Sequence, residues 1–319
     1  MRLAVCNFWN ADKRAHHGNK DGILRAFAHL RDDYGWETRF FKLAKQETGS
    51  LVHPYITFQY CDDVVSEVLM WEPDAILLFC DLSFPEIGRL GESGIPIAMC
   101  FTGGLFDQYE DVPDIIFVES QVYYDRFKSH GRNVRKAFGT NQDIFHPVKG
   151  QPKVFDACYP ATMARWKRTE LFAEAMGSRG IGCGYFQTGE EDVWQNYLKW
   201  GTALLHHQNA ESINLIYNMS KTCIVAAASD GGCQRTVLES MACGVPVVAM
   251  ADSDKTSEYV RESGFGKIVE PNPKAIRDAV DTLIAHPLDP QIGIDYINSK
   301  WTSSHYAMAL KDGIESILR

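Results

Sequence analysis

The sequence predicts an α/β protein made of two Rossmann-like domains, each a parallel sheet flanked by helices. Short apolar runs alternate with helical patterns through both halves of the chain, the arrangement expected of strand–helix–strand units. At 319 residues, 45% of them hydrophobic, there is enough chain for two cores of ordinary size. Between the two series, residues 139–152 are polar and rich in turn-forming types. The boundary is placed there, with residues 1–148 as the first domain and 149–319 as the second.

In the first domain, Leu3 to Phe8 is an apolar run that reads as the opening strand, and Ile23 to Leu30 carries a helical pattern. Glu37 to Leu43 follows as a strand, Asp62 to Met70 as a helix and Ala75 to Cys80 as a strand. Ile95 to Phe101, Ile115 to Glu119 and Val134 to Phe138 continue the strands, with Gln121 to His130 as the helix between the last two. Gly18 to Gly22 after the first strand, and Thr102, Gly103 and Gly104 after a later one, lie where open α/β sheets bind ligands. Asp81 and Asp107 are the polar side chains nearest to such a site, although ordinary turns explain these stretches equally well.

The second series opens with Lys153 to Tyr159 as strand, then Glu170 to Met176 as helix, Gly182 to Tyr185 as strand and Ala210 to Met219 as helix. Cys223 to Ala227 is the next strand. It leads into Asp230-Gly-Gly-Cys-Gln-Arg-Thr-Val-Leu-Glu-Ser-Met-Ala-Cys-Gly-Val-Pro-Val-Val-Ala249, which reads as a glycine turn, a short helix and a buried parallel strand. Gly231 and Gly232 let backbone approach a ligand closely, and the helix that starts near Gln234 presents free N–H groups and a partial positive charge. Gly244 ends that helix. A strand at Gly266 to Val269 and a helix at Pro273 to Ala285 complete the series.

Charge and cysteine usage narrow the function classes. A net charge of −9 gives no electrostatic footprint for wrapping a polyphosphate backbone, so nucleic acid is a poor default partner. Nine cysteines without a Cys-x-x-Cys pair fit reduced core thiols in a cytoplasmic protein better than a disulfide framework or a zinc site. No apolar run approaches the length needed to span a membrane, which leaves at most peripheral membrane contact. His16-His17 and His206-His207 are adjacent pairs whose side chains diverge, and no metal is expected. A Gly-x-x-x-x-Gly-Lys phosphate loop is lacking, which argues against an ATPase or kinase.

Leu238-Glu-Ser-Met-Ala-Cys-Gly-Val-Pro-Val-Val248 resembles the donor-site signature of the group 1 (family 4) retaining glycosyltransferases. The form with arginine before the glutamate, Gln234-Arg235-Thr-Val-Leu-Glu239, looks more like the spore-maturation-type branch. Asn141, Asp143 and Phe145-His-Pro147 resemble the run that closes the first domain of these enzymes. Leu215 to Ser229 resembles the helix and strand before the glycine turn, and Ser257 to Val260 and Gly264 to Pro271 resemble later pieces. Trp301 to Arg319 is similar to the terminal helix, about 302–319, that crosses back to the first domain. The resemblance implies the GT-B architecture, two Rossmann-like domains facing across a cleft, with the acceptor on the first domain and a nucleotide-sugar donor on the second.

Transfer from such a donor builds charge on the leaving pyrophosphate, which calls for cations and backbone donors. The resemblance places Lys167 on the family's phosphate-binding lysine. The partner arginine would fall at Thr162, a departure for which Arg165 is the substitute on the same loop; Arg168 is a third cation there. It assigns Glu239 to the donor ribose, with Arg235 one helical turn before it. The family's other glutamate would fall at Gly231, with Asp230 adjacent. The implied activity is metal-independent, retaining sugar transfer to an unidentified hydroxyl acceptor, a modified base included, without a cofactor. A catalytically silent nucleotide-sugar-binding protein and a nucleotide-sugar epimerase on the same fold are the alternatives, and a nicotinamide-dependent dehydrogenase is more distant.

Overall fold

A computed structural model describes residues 1–8, 22–44, 48–79, 82–101, 108–187, 189–228 and 235–318. The chain divides into two units, Met1–Gly139 with Ser303–Arg319, and Thr140–Thr302.

The first unit runs β1 (Arg2–Asn7), α1 (Gly22–Tyr34), β2 (Glu37–Leu43), β3 (Gly49–Val52), β4 (Thr57–Cys61), α2 (Val64–Trp71), β5 (Ala75–Leu78), α3 (Glu86–Gly91), β6 (Ile97–Phe101), β7 (Ile115–Val118), α4 (Gln121–Ser129) and β8 (Val134–Lys136). It is completed by the last helix of the chain, α12 (Ser303–Glu315). Among the described residues its sheet has the order β3-β4-β2-β1-β5-β6-β7-β8, and only the β3–β4 pair is antiparallel. Every residue of β5, β6 and β7 is buried, as a parallel strand covered on both faces requires. One face packs Phe27 and Leu30 of α1 and Ala307, Leu310 and Ile314 of α12 onto Val5, Phe40, Leu77 and Phe117. On the other face Val68 of α2, Ile87 and Leu90 of α3 and Phe127 of α4 cover Cys6, Phe41, Leu78 and Met99.

In the second unit the order along the chain is β9 (Phe155–Pro160), α5 (Thr169–Met176), β10 (Gly180–Cys183), α6 (Gln195–Trp200), β11 (Ala203–Leu205), α7 (Ala210–Asn218), β12 (Ser220–Val225), α8 (Arg235–Ala242), β13 (Val247–Met250), α9 (Asp254–Ser263), β14 (Gly266–Val269), α10 (Pro273–Ala285) and α11 (Pro290–Lys300). The sheet is parallel throughout, in the order β11-β10-β9-β12-β13-β14. Gly244 holds φ at +67° after α8, and Asn272 caps α10 through Ala275 N–H ahead of Pro273.

The units divide at the start of the turn-rich stretch 139–152, nine residues before the boundary placed after residue 148. Thr140 N–H donates to Trp301 O at 2.9 Å, and His146 and Val148 N–H donate to the side chains of Asn214 and Asn218 on α7. Phe145 packs edge-on against Tyr217, 6.1 Å between centroids. Residues 140–148 are thereby strapped to the second unit, although their composition is that of a linker.

Candidate functional site

In the second unit β9 lies between β10 and β12. The chain first builds outward through β10 and β11 and then returns to build β12, β13 and β14 on the other side. The carboxyl ends of β9 and β12 therefore flank a topological switch point, the place where open α/β sheets form a ligand crevice. The loop after β9 carries Arg165, Lys167 and Arg168, and the segment after β12 leads into α8 with Arg235 and Glu239. Two hydrogen bonds tie these segments together: Ala228 N–H to Trp166 O at 2.8 Å, and Thr236 Oγ1 to Pro160 O at 3.0 Å.

Lys167 is the buried cation of the loop. It is 9% exposed, its ammonium sits 4.2 Å from the centroid of the Trp166 ring, and its carbonyl accepts from the buried Tyr159 hydroxyl at 2.9 Å. Burial raises Tyr159 well above the usual tyrosine range, so this hydroxyl stays a donor. Arg168 next to it adopts φ +49°, a left-handed conformation unusual for a non-glycine residue, and its guanidinium pairs with Asp252 beyond β13 at 2.8 Å. The start of the loop is held by β10 and its following residues: Ala161 N–H donates to Cys183 O, and Met163 N–H to Tyr185 O. Gly184 makes that approach possible, because a Cβ there would run into the Ala161 carbonyl oxygen.

Arg165 takes a different direction from Lys167. Its guanidinium forks onto both carboxylate oxygens of Asp192 at 2.9 Å, and its backbone N–H donates to Glu190 Oε2 at 2.5 Å. The side chain is 60% exposed and lines an open cavity of about 380 Å³ together with Glu170, Asp192 and Asn196. Its charge is met by two carboxylates already. Thr162 lies in the same loop, its carbonyl accepting from Ala164 N–H.

Glu239 is half-buried on α8, where its Oε2 accepts from the Tyr217 hydroxyl at 2.9 Å. Burial first, and then the facing carboxylate, hold Tyr217 protonated well above the usual tyrosine range. Beside this pair, Cys243 Sγ contacts Asn214 Oδ1 at 3.1 Å, and Asn218 donates to the same oxygen. The asparagines that strap residues 146 and 148 thus also back the helix that carries Glu239. Arg235 is the first residue of α8, one turn before Glu239.

Asp230, Gly231 and Gly232 of the glycine turn lie outside the described residues, as do Asp81, Thr102, Gly103, Gly104 and Asp107 of the first unit. Tyr217, Asp192 and Glu190 are residues that sequence reasoning did not single out. The acidic run after Gly189 and the tyrosine in an apolar helix were the available signals. His206 and His207 meet different rings, Phe186 at a tilt and Tyr185 edge-on, as diverging neighbours do. Among the described residues, no group of three His, Cys, Asp or Glu side chains converges as a metal site would require. Among them, too, no helix is long and apolar enough to cross a membrane. Cys6, Cys61, Cys100, Cys158, Cys183, Cys223 and Cys243 are free and buried.

Residues 183–296 match the family model described as "Glycosyl transferases group 1". No curated protein sequence matches the chain. Among solved structures, the fold is similar to that of sucrose-phosphate synthase from Thermosynechococcus elongatus, with TM-score 0.78 and 15% identity over 99% of this chain and 98% of that chain. It is similar to a glycosyltransferase from Rickettsia africae, with TM-score 0.75 and 14% identity over 100% and 98%. It is similar also to HepE from Anabaena in complex with UDP and glucose, with TM-score 0.74 and 13% identity over 99% and 100%. These likenesses establish the α/β fold with two domains of parallel sheets shared by GT-B glycosyltransferases.

Proposed function

From a group 1 glycosyltransferase domain at residues 183–296 on a GT-B fold, we propose that the chain transfers a sugar from a nucleotide-sugar donor to a hydroxyl acceptor, with retention and without a metal. The observation that carries this reading is the convergence of the Lys167 loop and the Glu239 helix at the switch point between β9 and β12. In this reading the nucleotide ribose hydroxyls bind Glu239 and the pyrophosphate meets Lys167. Asp230, Gly231 and Gly232 belong to the same proposed donor site, with Arg235 at its helix start. The bond from the anomeric carbon to the terminal phosphate oxygen breaks while the acceptor oxygen bonds to that carbon on the same face. The acceptor's proton passes to the departing phosphate. Lys167 stabilises the charge that develops there, and its burial strengthens that effect.

A uridine diphosphate sugar is the first donor to test, because the similar HepE structures hold UDP and UDP-glucose. The acceptor is placed on the first unit, where Thr102, Gly103, Gly104, Asp81 and Asp107 remain the proposed neighbours. A reducing, cytoplasmic setting is part of the proposal and is supported by the free, buried thiols.

The test is a melting-temperature screen of nucleoside diphosphates and their sugars, followed by release of the nucleotide with and without candidate acceptors in excess chelator. Ligand-dependent stabilisation and acceptor-dependent release are expected. Release abolished by chelator would remove metal independence, and an inverted product would remove retention. The second reading is a binding protein without turnover, which the capture of Arg165 by Asp192 and Glu190 favours; it predicts stabilisation without release.

A further inference from the structure

Between Lys167 and the first turn of α5 stands Arg168, whose φ of +49° is the left-handed value that glycine adopts freely and a residue with a side chain adopts at a cost. The chain turns there from the short helical turn Arg165–Lys167 into α5, with Arg168 N–H donating to Arg165 O at 2.9 Å. Glycine would make the same turn without strain. Arg168 instead sends its guanidinium to the turn after β13, where it pairs with Asp252 at 2.8 Å. β12 lies between β9 and β13 in the sheet, so this pair spans a whole strand. The turn of Asp252 is a firm anchor: Ala251 N–H donates to Val269 O of β14 at 2.7 Å, and Ser253 N–H to Met250 O at 3.1 Å.

Stability does not explain an arginine at this position. The pair is partly exposed, Arg168 at 21% and Asp252 at 42%, and such a pair contributes about as little as the left-handed conformation costs. Its place in the loop does explain it. The segment after β9 is tied across the carboxyl edge of the sheet to β10 by Ala161 N–H and Cys183 O, to the end of β12 by Ala228 N–H and Trp166 O, and beyond β13 by Arg168 and Asp252. Lys167 lies between the last two ties, and the Tyr159 hydroxyl of β9 holds its carbonyl.

We propose that the Arg168–Asp252 pair is a clasp that positions Lys167: it fixes the residue after the lysine, and so the direction from which the buried ammonium meets a leaving phosphate. Arg168 is a positioning residue that acts through Lys167. That the lysine meets a leaving phosphate rests on the sugar-transfer reading; the clasp on Lys167 does not.

The experiment compares the full chain with Arg168→Gly, which suits the left-handed turn, with Asp252→Asn, and with the swap of Arg168→Asp and Asp252→Arg. The readouts are nucleotide release from UDP-glucose in the steady state and the rate at which acetic anhydride labels Lys167 in the free chain, read by peptide mass spectrometry. Both single variants are expected to melt within about 5 °C of wild type. They should lose about tenfold in kcat with donor KM changed less than about threefold, and Lys167 should label at least about threefold faster. The swap should recover both readouts. In a Lys167→Ala background, Arg168→Gly should cost less than about twofold in kcat, because nothing is left to position. The full tenfold loss in that background overturns the proposal, as do wild-type kcat in both single variants and a swap no better than they are. A rise in KM at constant kcat would make Arg168 a donor-binding residue, and a larger fall in melting temperature in both single variants would make the pair a structural tie; either result overturns the clasp. Where wild type releases no nucleotide and binds no UDP, sugar transfer is refuted and labelling alone decides: faster labelling reversed by the swap keeps the clasp, and unchanged labelling overturns it.

Discussion

The Tyr217 hydroxyl donates to Glu239 Oε2 at 2.9 Å from a fully buried position, so the carboxylate is held from behind by a group that stays protonated. One oxygen is thereby fixed, which orients the other and limits how the carboxylate can turn to meet a ligand. A half-buried glutamate in a fixed rotamer loses less freedom on binding than a surface one.

Glu239→Gln is expected to weaken nucleotide binding roughly tenfold to a hundredfold, the worth of a charge-assisted hydrogen bond. Titration of UDP into the folded variant checks this. The double variant with Arg235→Gln controls for a guanidinium left without its neighbour. Wild-type affinity in folded Glu239→Gln would remove the carboxylate from the donor site.

Tyr217→Phe leaves the ring packed against Phe145 and removes only the hydroxyl. Donor KM should rise by about threefold to tenfold, with kcat much less changed, because a hydrogen bond to a charged group is worth about 1.5–3 kcal/mol and this one reaches the ligand only through the orientation of the carboxylate. A fall in kcat at constant KM would contradict a role in positioning the donor.

Lys167→Ala should lower kcat by about a hundredfold, as removal of a preorganised charge from a leaving-group site does, and should change donor affinity less. Arg165→Ala, by contrast, removes an exposed fork with Asp192 and should change turnover less than about threefold and stability by less than about 1 kcal/mol. Steady-state kinetics on the two variants side by side decides the matter, and equal losses would return Arg165 to the catalytic set.

Gly184→Ala forces a methyl group against the Ala161 carbonyl oxygen, and backbone cannot move aside as a side chain can. The loop carrying Lys167 must shift, so a stability loss of about 1–3 kcal/mol together with reduced turnover is expected. Denaturant unfolding measures the first and nucleotide release the second; a variant as stable and as active as wild type would show that this close approach is dispensable.

Lys42 also sets a pH dependence. Burial lowers its folded value to about 8 from an unfolded value of 10.5, so between those limits the unfolded chain binds more protons and stability rises with pH. Below pH 8 the full penalty is present. The melting temperature of wild type should therefore lie below that of Lys42→Met at pH 7 and approach it as pH rises from about 8 to 10.5. A constant difference across that range would mean that the ammonium is solvated in the fold.

The alternation of apolar runs and helical patterns marked the buried parallel strands and the longer helices between them, because burial on both faces writes itself into consecutive residues such as Ala75 to Leu78 and Val247 to Met250. The signature around Glu239 was legible as a short contiguous segment that falls within the matched residues 183–296, whereas Lys167 was singled out by resemblance alone. The strands β3, β4 and β11 were not legible, since their alternating or exposed residues carry little apolar signal. Strand order was decided only by tertiary packing, and with it the switch point that brings the loops after β9 and β12 together. Partners at a distance in sequence were decided there too. Asp192 claims Arg165 from 27 residues away, Tyr217 holds Glu239 across 22, and Asn214 and Asn218 bind backbone some 70 residues before them. Nothing in the local sequence marks Lys42 as buried, yet the fold leaves it 1% exposed. Local patterns encode which face of an element is apolar, whereas the company a polar side chain keeps depends on which faces meet.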